Sequence, residues 1–419
     1  MPLHVRGTDA IPLASRPDLG QYRKLAKDLL RATREPHSRS VHDWAEAWMA
    51  RLAKLSSVHP TSESIDNIVR DVQRTRLVAS SGEAGSSLAE AQMLIARLHG
   101  FESWPKFARH VEARRLDGSP ISQFEHAADA IIDGELQTLK DLLSKNRRLI
   151  RARSSRDHRA TLLHYIAANG HEGFRQRTAP HVEAIARLLL ESGAEVDAQA
   201  LMYGHAVTTM QMLVSSSRTH EAGKQVELVE ILLEFGAAPD GVDDNGSPIM
   251  TALRFHHPRA AEALARGGAR IDNVIVAAAL GHVDVVDRLI ADNGALRSAP
   301  TASGPWPRLS KDPQEHLGYA LTWACAFGRT EVAELMMRKG VAPSGCDDDA
   351  SALHFAAAFG HLHLVRLLLR QGASIETLNS YDGTVLDGVV WYALHAPQDG
   401  VDYAAVARAL IDLGARRGV

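Results

Sequence analysis

Apolar positions recur along this chain in two different patterns. Between residues 18 and 116 they follow the helical period, marking amphipathic segments at 19–34, 41–55, 65–78 and 88–98. From about residue 120 a longer unit takes over: a short alanine-rich helix, a glycine, a run of Leu, Ile and Val, then a second Gly-Ala pair. The clearest copy is Leu353-His354-Phe355-Ala356-Ala357-Ala358-Phe359-Gly360-His361, followed by Leu364 to Leu369 and Gly372-Ala373. The same order recurs at 163–171 with 188–194, and at 321–328 with 335–340. Degenerate copies end at Gly236-Ala237, Gly268-Ala269 and Gly414-Ala415, and another carries Gly281-His282 ahead of Leu289-Ile290.

Each unit is half a core. Its alanine pair lets a neighbouring unit approach closely, and the bulky residues of its second helix fill the space between units. Gly193, Gly236 and Gly372 fall just past second helices, where glycine most easily adopts the left-handed cap. Gly328 and Gly360 stand 32 residues apart, as do Gly340 and Gly372, close to a repeat period of about 33. On these residues the chain resembles the ankyrin repeat family, over roughly residues 122–417 in about eight units. The resemblance implies an all-α ankyrin repeat solenoid with short hairpin fingers, in which His164 and His354 are structural. Met210-Gln211 and Ile249-Met250 depart from the family's Leu-His, His256 stands where a glycine ends the helix, and Asp387 stands in place of His. Those units are expected to be distorted or functionally modified.

This divides the chain into a small helical N-terminal or capping module, 1–120, and a repeat domain, 121–419. Ser103 and Pro105 start a further helix after a break at Gly100. The segment from Leu88 to Trp104 resembles the leader module ahead of ankyrin arrays in many bacterial proteins. Ala96, Gly100 and the Ser103 helix also allow a helix-turn-helix, a DNA-binding reading for residues 88–116. Residues 1–120 carry 18 Lys/Arg and 14 Asp/Glu, a surplus too diffuse for a dedicated DNA face. Nucleic acid is therefore not the expected partner.

Three insertions break the period. Residues 172–180 and 218–224 fall between the two helices of their units. Residues 297–315, with Pro300, Gly304, Pro305, Trp306, Pro307 and Pro313, replace a finger and are expected to form a structureless loop able to act as a lid.

Composition adds mainly exclusions. The formal net charge is −3 over 419 residues, so bulk charge announces neither nucleic acid nor a disordered tail. No apolar run suits a membrane span and no signal peptide is visible, so a cytoplasmic location is expected. Cys325 and Cys346 make neither a disulfide framework nor a zinc spacing. Of the 21 histidines, His164, His171, His282, His354 and His361 sit where the repeat pattern asks for them, leaving no ligand set for a metal. No phosphate loop, dinucleotide fingerprint or nucleophile elbow is present, and no cofactor is expected.

The residues just before each helix-ending glycine face the concave groove in the family. In this chain they include Phe255, Leu280, Phe327, Phe359, Trp391 and Tyr392, an apolar series. Trp306, Tyr381 and Asp348, in the acid run Asp347-Asp348-Asp349, are placed to flank it. An aromatic groove suits a protein partner, so the chain reads as an interaction module that binds a polypeptide and has no catalysis of its own. The alternative is a small-molecule pocket, or an enzyme, between the groove and the 297–315 loop, with His316, Asp387 or His395 as its polar groups.

Overall fold

The computed structural model describes residues 10–14, 17–35, 39–55, 61–79, 87–298, 312–345 and 349–416. Trp306, Cys346, Asp347 and Asp348 lie outside the described residues. The chain forms two compact units, Met1–Ala237 and Ala238–Val419.

The first unit opens with five helices: α1 (Leu19–Arg34), α2 (Ser40–Leu55), α3 (Ser62–Ala79), α4 (Leu88–Leu98) and α5 (Trp104–Arg114). All four amphipathic segments are helices, and their apolar faces meet in one core that includes Leu29, Trp48, Ile95, Phe101 and Phe107. Capping sets the later boundaries. Ser87 and Glu90 form a capping box on α4, and Ser103 caps α5 with Pro105 in its first turn. His99 is fully buried between Tyr22, Trp48 and Phe107. Its Nδ1 lies 2.8 Å from the Ile11 carbonyl.

Three helix pairs follow: α6 (Pro120–Asp133) with α7 (Leu136–Lys145), a 3-10 turn (Leu162–Ala167) with α8 (Val182–Glu191), and α9 (Thr209–Val214) with α11 (Gln225–Glu234). The insertion after α9 forms a helix of its own, α10 (Ser217–Glu221). One finger is a true hairpin, β1 (Gln199–Met202) paired antiparallel with β2 (His205–Thr208). Tyr203 and Gly204 both have positive φ at its turn, the geometry that matches the twist of a two-residue hairpin.

The insertion at 172–180 does something its composition did not announce. It folds Glu172 and Arg175 into the interior, where they join Glu125 of α6 and Arg156, all four almost completely buried. Arg156 Nη1 lies 2.6 Å from Glu125 and 2.9 Å from Glu172. Arg175 donates to Glu125 at 3.0 Å and to Asp129 at 2.5 Å. Arg114 of α5 adds a bond of 3.0 Å to Glu125, tying the N-terminal helices to the first pair. Opposed by the cost of burial, the guanidinium groups nonetheless hold both Glu125 and Glu172 well below the usual carboxylate range.

The second unit contains five pairs: α12 (Ser247–Arg254) with α13 (Pro258–Arg266), α14 (Val274–Leu280) with α15 (Val283–Leu289), α16 (Pro313–Ala326) with α17 (Thr330–Arg338), α18 (Ala352–Ala358) with α19 (Leu362–Arg370), and α20 (Val385–His395) with α21 (Tyr403–Asp412). With the three pairs of the first unit, the described residues hold the eight expected repeats. The even-numbered helices pack in sequence as an inner row. That row is lined by buried small residues, among them Ala277, Ala278, Ala320, Ala324, Ala356 and Ala357. One boundary differs from expectation. Residues 313–315 belong to α16 rather than to a loop, because Asp312 accepts from the Gln314 N–H and Pro313 suits the first turn.

The cap glycines and repeat histidines behave as the pattern implies. Gly193, Gly236 and Gly372 have φ of 93°, 86° and 96°. At Gly328 a side chain is excluded by space as well as by φ, since a Cβ there would lie 2.7 Å from the His361 ring. That ring bonds the Ala326 carbonyl at 3.1 Å. His354 bridges Ser351 at 2.8 Å and the Gly383 carbonyl at 3.2 Å, and His164 bonds Thr161 at 2.8 Å.

Two predictions follow from the buried polar groups of the first unit. Replacing Arg156 by Met removes one of the two guanidinium groups that the buried Glu125 and Glu172 share, leaving Arg175 alone between them, and should lower stability by about 3 kcal/mol in urea unfolding. Stability should also fall as the pH drops from about 6.5 towards 4. Burial pushes His99, His110 and His164 down to about 3 and His171 down to about 4, so over that window the unfolded chain takes up protons that the fold refuses. Glu125 and Glu172 extend the loss below 4.5, the range in which their unfolded carboxylates protonate first. Urea midpoints at pH 8, 6 and 4.5 check the ordering.

Candidate functional site

The inner row of the second unit ends on its ring-bearing residues. His256, at the position where a glycine was expected, adopts the left-handed conformation at φ 56°. Its imidazole packs against rings from later pairs, 5.3 Å from Phe355, 5.3 Å from Phe359 and 6.0 Å from Phe327 between centroids. The series continues with Phe359 to Tyr392 at 5.9 Å, Tyr392 to Trp391 at 5.3 Å, and Trp391 stacked on His395 at 5.2 Å. Beside it, Arg254 Nη2 lies 2.7 Å from Asp349 Oδ2, joining residues 95 positions apart.

These contacts border a cavity of about 650 Å³ whose lining includes His256, Asp349, Phe355, Asp387, Trp391 and Tyr392, with Tyr381, Asn379 and His354. Several of its polar groups are already committed to the fold. His354 bridges two repeats as described, and Asn379 Oδ1 accepts from the N–H groups of Tyr381 and Gly383 at 2.9 Å. Asp387 Oδ2 accepts from the hydroxyl and N–H of Thr384 at 2.7 and 2.9 Å, closing a capping box on α20. Those two bonds hold its carboxyl below the usual range. His256 Nδ1 is shut off from solvent and has no hydrogen-bond partner. Burial, with the Arg254 charge adding to it, pushes the imidazole down to about 4, so it is neutral near pH 7.

The residues predicted from sequence divide into three groups. Tyr381, Trp391 and Tyr392 line the cavity. Phe327 and Phe359 are half-buried within the ring series, while Phe255 is 53% exposed and neither it nor the half-buried Leu280 lines the cavity. Trp306 and Asp348 fall outside the described residues, although the neighbouring Asp349 is in the lining. Of the polar groups considered for a small-molecule pocket, Asp387 is at the cavity, His316 is buried in α16, and His395 lies against Trp391. Reading single positions missed Phe355 and Asn379. His256 and Asp387 carried a signal, since both stood out as departures from the repeat.

Stacked helix pairs, glycine-capped and bonded through repeat histidines, define a helical repeat protein. Residues 274–379 match the family model for ankyrin repeats in three copies, and residues 158–201 match the model for an ankyrin repeat. These two stretches of the chain are ankyrin repeats. A crystal structure of the human ASB11 ankyrin repeat domain is similar to this protein at 20% identity, covering 70% of this chain and 99% of that one, with a TM-score of 0.35. Comparison with curated proteins gives no significant match. No described helix is long and apolar enough to cross a membrane.

His256 provides a test of the local geometry. At a left-handed φ, alanine carries a penalty that glycine does not, so His256→Gly should be more stable than His256→Ala by about 1 kcal/mol. Urea unfolding of the two variants measures the difference. Equal stability would show that this residue does not hold the left-handed conformation.

Proposed function

We propose that this protein is a non-catalytic interaction module that takes a polypeptide segment into the aromatic cavity of its second unit. The observation that carries this reading is the combination of a ring-lined cavity with exposed aromatics at its rim. Tyr381 is 81% exposed and Trp391 is 52% exposed, beside a cavity of about 650 Å³. Large aromatic surface left in water is the kind of surface that partner binding covers, and Trp and Tyr are enriched among the residues that dominate interface energetics. The fold supports the same reading, because stacked repeats leave a continuous surface whose residues can vary without disturbing the core.

Phe327 and Phe359 support the cavity from behind, so mutating them would confound binding with folding. Tyr381 and Trp391 are the better probes. The Tyr381→Ala/Trp391→Ala variant should keep its urea midpoint within about 1 kcal/mol of wild type. It should also lose, by at least roughly tenfold, a stoichiometric polypeptide captured by the wild-type protein from its native lysate. Undiminished capture by a folded variant would move the binding surface elsewhere. A retained small molecule without a polypeptide would replace the interaction reading with the pocket reading, for which the cavity volume is adequate.

A further inference from the structure

The geometry points to a cationic side chain, lysine or arginine, as the group of the polypeptide partner that enters this cavity. The inference rests on the interaction-module reading and adds the chemistry of the occupant.

Three observations converge on it. The first is the lining: it includes the rings of Phe355, Trp391 and Tyr392, with Trp391 52% exposed, and no Lys or Arg among the described residues. Ring faces carry negative quadrupole potential and attract ammonium or guanidinium groups within about 6 Å. The second is the pair of unused acceptors. Asp387 spends Oδ2 on Thr384, leaving Oδ1 without a partner among the described residues. His256 Nδ1 is buried and unpartnered, and a neutral imidazole protonated on Nε2 can accept a hydrogen bond there. The third is regional charge. Between Arg370 and Arg408 the sequence holds Glu376, Asp382, Asp387, Asp399 and Asp402 but no lysine or arginine.

Asp349 contributes less, because Arg254 already neutralises it at 2.7 Å. That pair shows a carboxylate of the lining already holding a guanidinium that is not itself part of the lining. An anionic occupant would face Asp387 and the acidic region around it. A purely apolar one would cover the exposed Asp387 carboxylate without giving its free oxygen a partner. A cation satisfies all three kinds of group.

The test uses the full 419-residue chain and pentapeptides Ac-Ala-Ala-Xaa-Ala-Ala-NH2 in which Xaa is Lys, Arg, norleucine or Glu. Binding is followed through the indole N–H resonance of Trp391, assigned with Trp391→Phe. The Lys or Arg peptide should bind roughly tenfold more tightly than the norleucine peptide, and the Glu peptide more weakly still. Asp387→Asn keeps an acceptor for Thr384, so α20 stays capped. It should weaken the Lys or Arg peptide about three- to tenfold and leave the norleucine peptide unchanged. Equal binding of Lys and norleucine overturns cation recognition while the groove reading stands. A preference for Glu overturns it as well. Butylammonium binding as tightly as the Lys peptide overturns the polypeptide as the cation's source. No response of Trp391 to any of the four peptides overturns both this inference and the groove reading.

Discussion

An inner helix lined with alanine can approach its neighbour more closely than an outer helix filled with leucine, valine and methionine. In the second unit each of α14, α16 and α18 buries alanines, among them Ala277, Ala278, Ala320, Ala324, Ala356 and Ala357, whereas the outer helices bury residues such as Val286, Val332, Met336, Leu364 and Leu368. Pairs that are narrower inside than outside stack along a curve, and the curve closes towards the narrow side. The candidate site is built on contacts between distant parts of this unit: Arg254 and His256, from its first pair, meet Asp349, Phe355 and Phe359.

The first unit solves a different problem with a different device. The network of Glu125, Glu172, Arg156 and Arg175 places four charges where a repeat protein usually places apolar residues. Such a network contributes little net stability against an apolar core of the same shape, yet a break in it is expensive because the remaining charges stay buried. Its geometry ties α5, α6 and the 172–180 insertion to one arrangement. Orientation of the N-terminal helices on the first pair therefore rests on charge-assisted bonds, whereas later pairs are held by small-residue packing and by histidine bridges such as His361 to the Ala326 carbonyl.

Histidine occupies two kinds of position in these repeats. Where the ring has two partners, as at His354, it is a bridge between repeats and is used up. Where it replaces a cap glycine, as at His256, the backbone is placed in an uncommon conformation and one nitrogen is left over. A substitution that costs conformational energy and leaves a buried polar atom unpaired is the opposite of what folding alone favours. Asp387, in the lining of the cavity, closes the capping box of α20 with one oxygen.

Local pattern was enough to determine the class of fold. The helical period located all four N-terminal segments to within three residues, and the recurrence of alanine pairs, cap glycines and leucine runs gave the repeats, because each is a constraint acting within one helix pair or between neighbours. Tyr381, Trp391 and Tyr392 were legible for the same reason, since their positions within a repeat imply the face they occupy. Tertiary structure alone decided which of those residues meet. The partnership of Arg254 with Asp349 spans 95 positions, and the burial of Glu172 and Arg175 depends on an insertion whose path no periodicity describes. Contacts such as Arg254 with Asp349 and His256 with Phe355 join parts of the chain that no local pattern relates, because they belong to no single repeat.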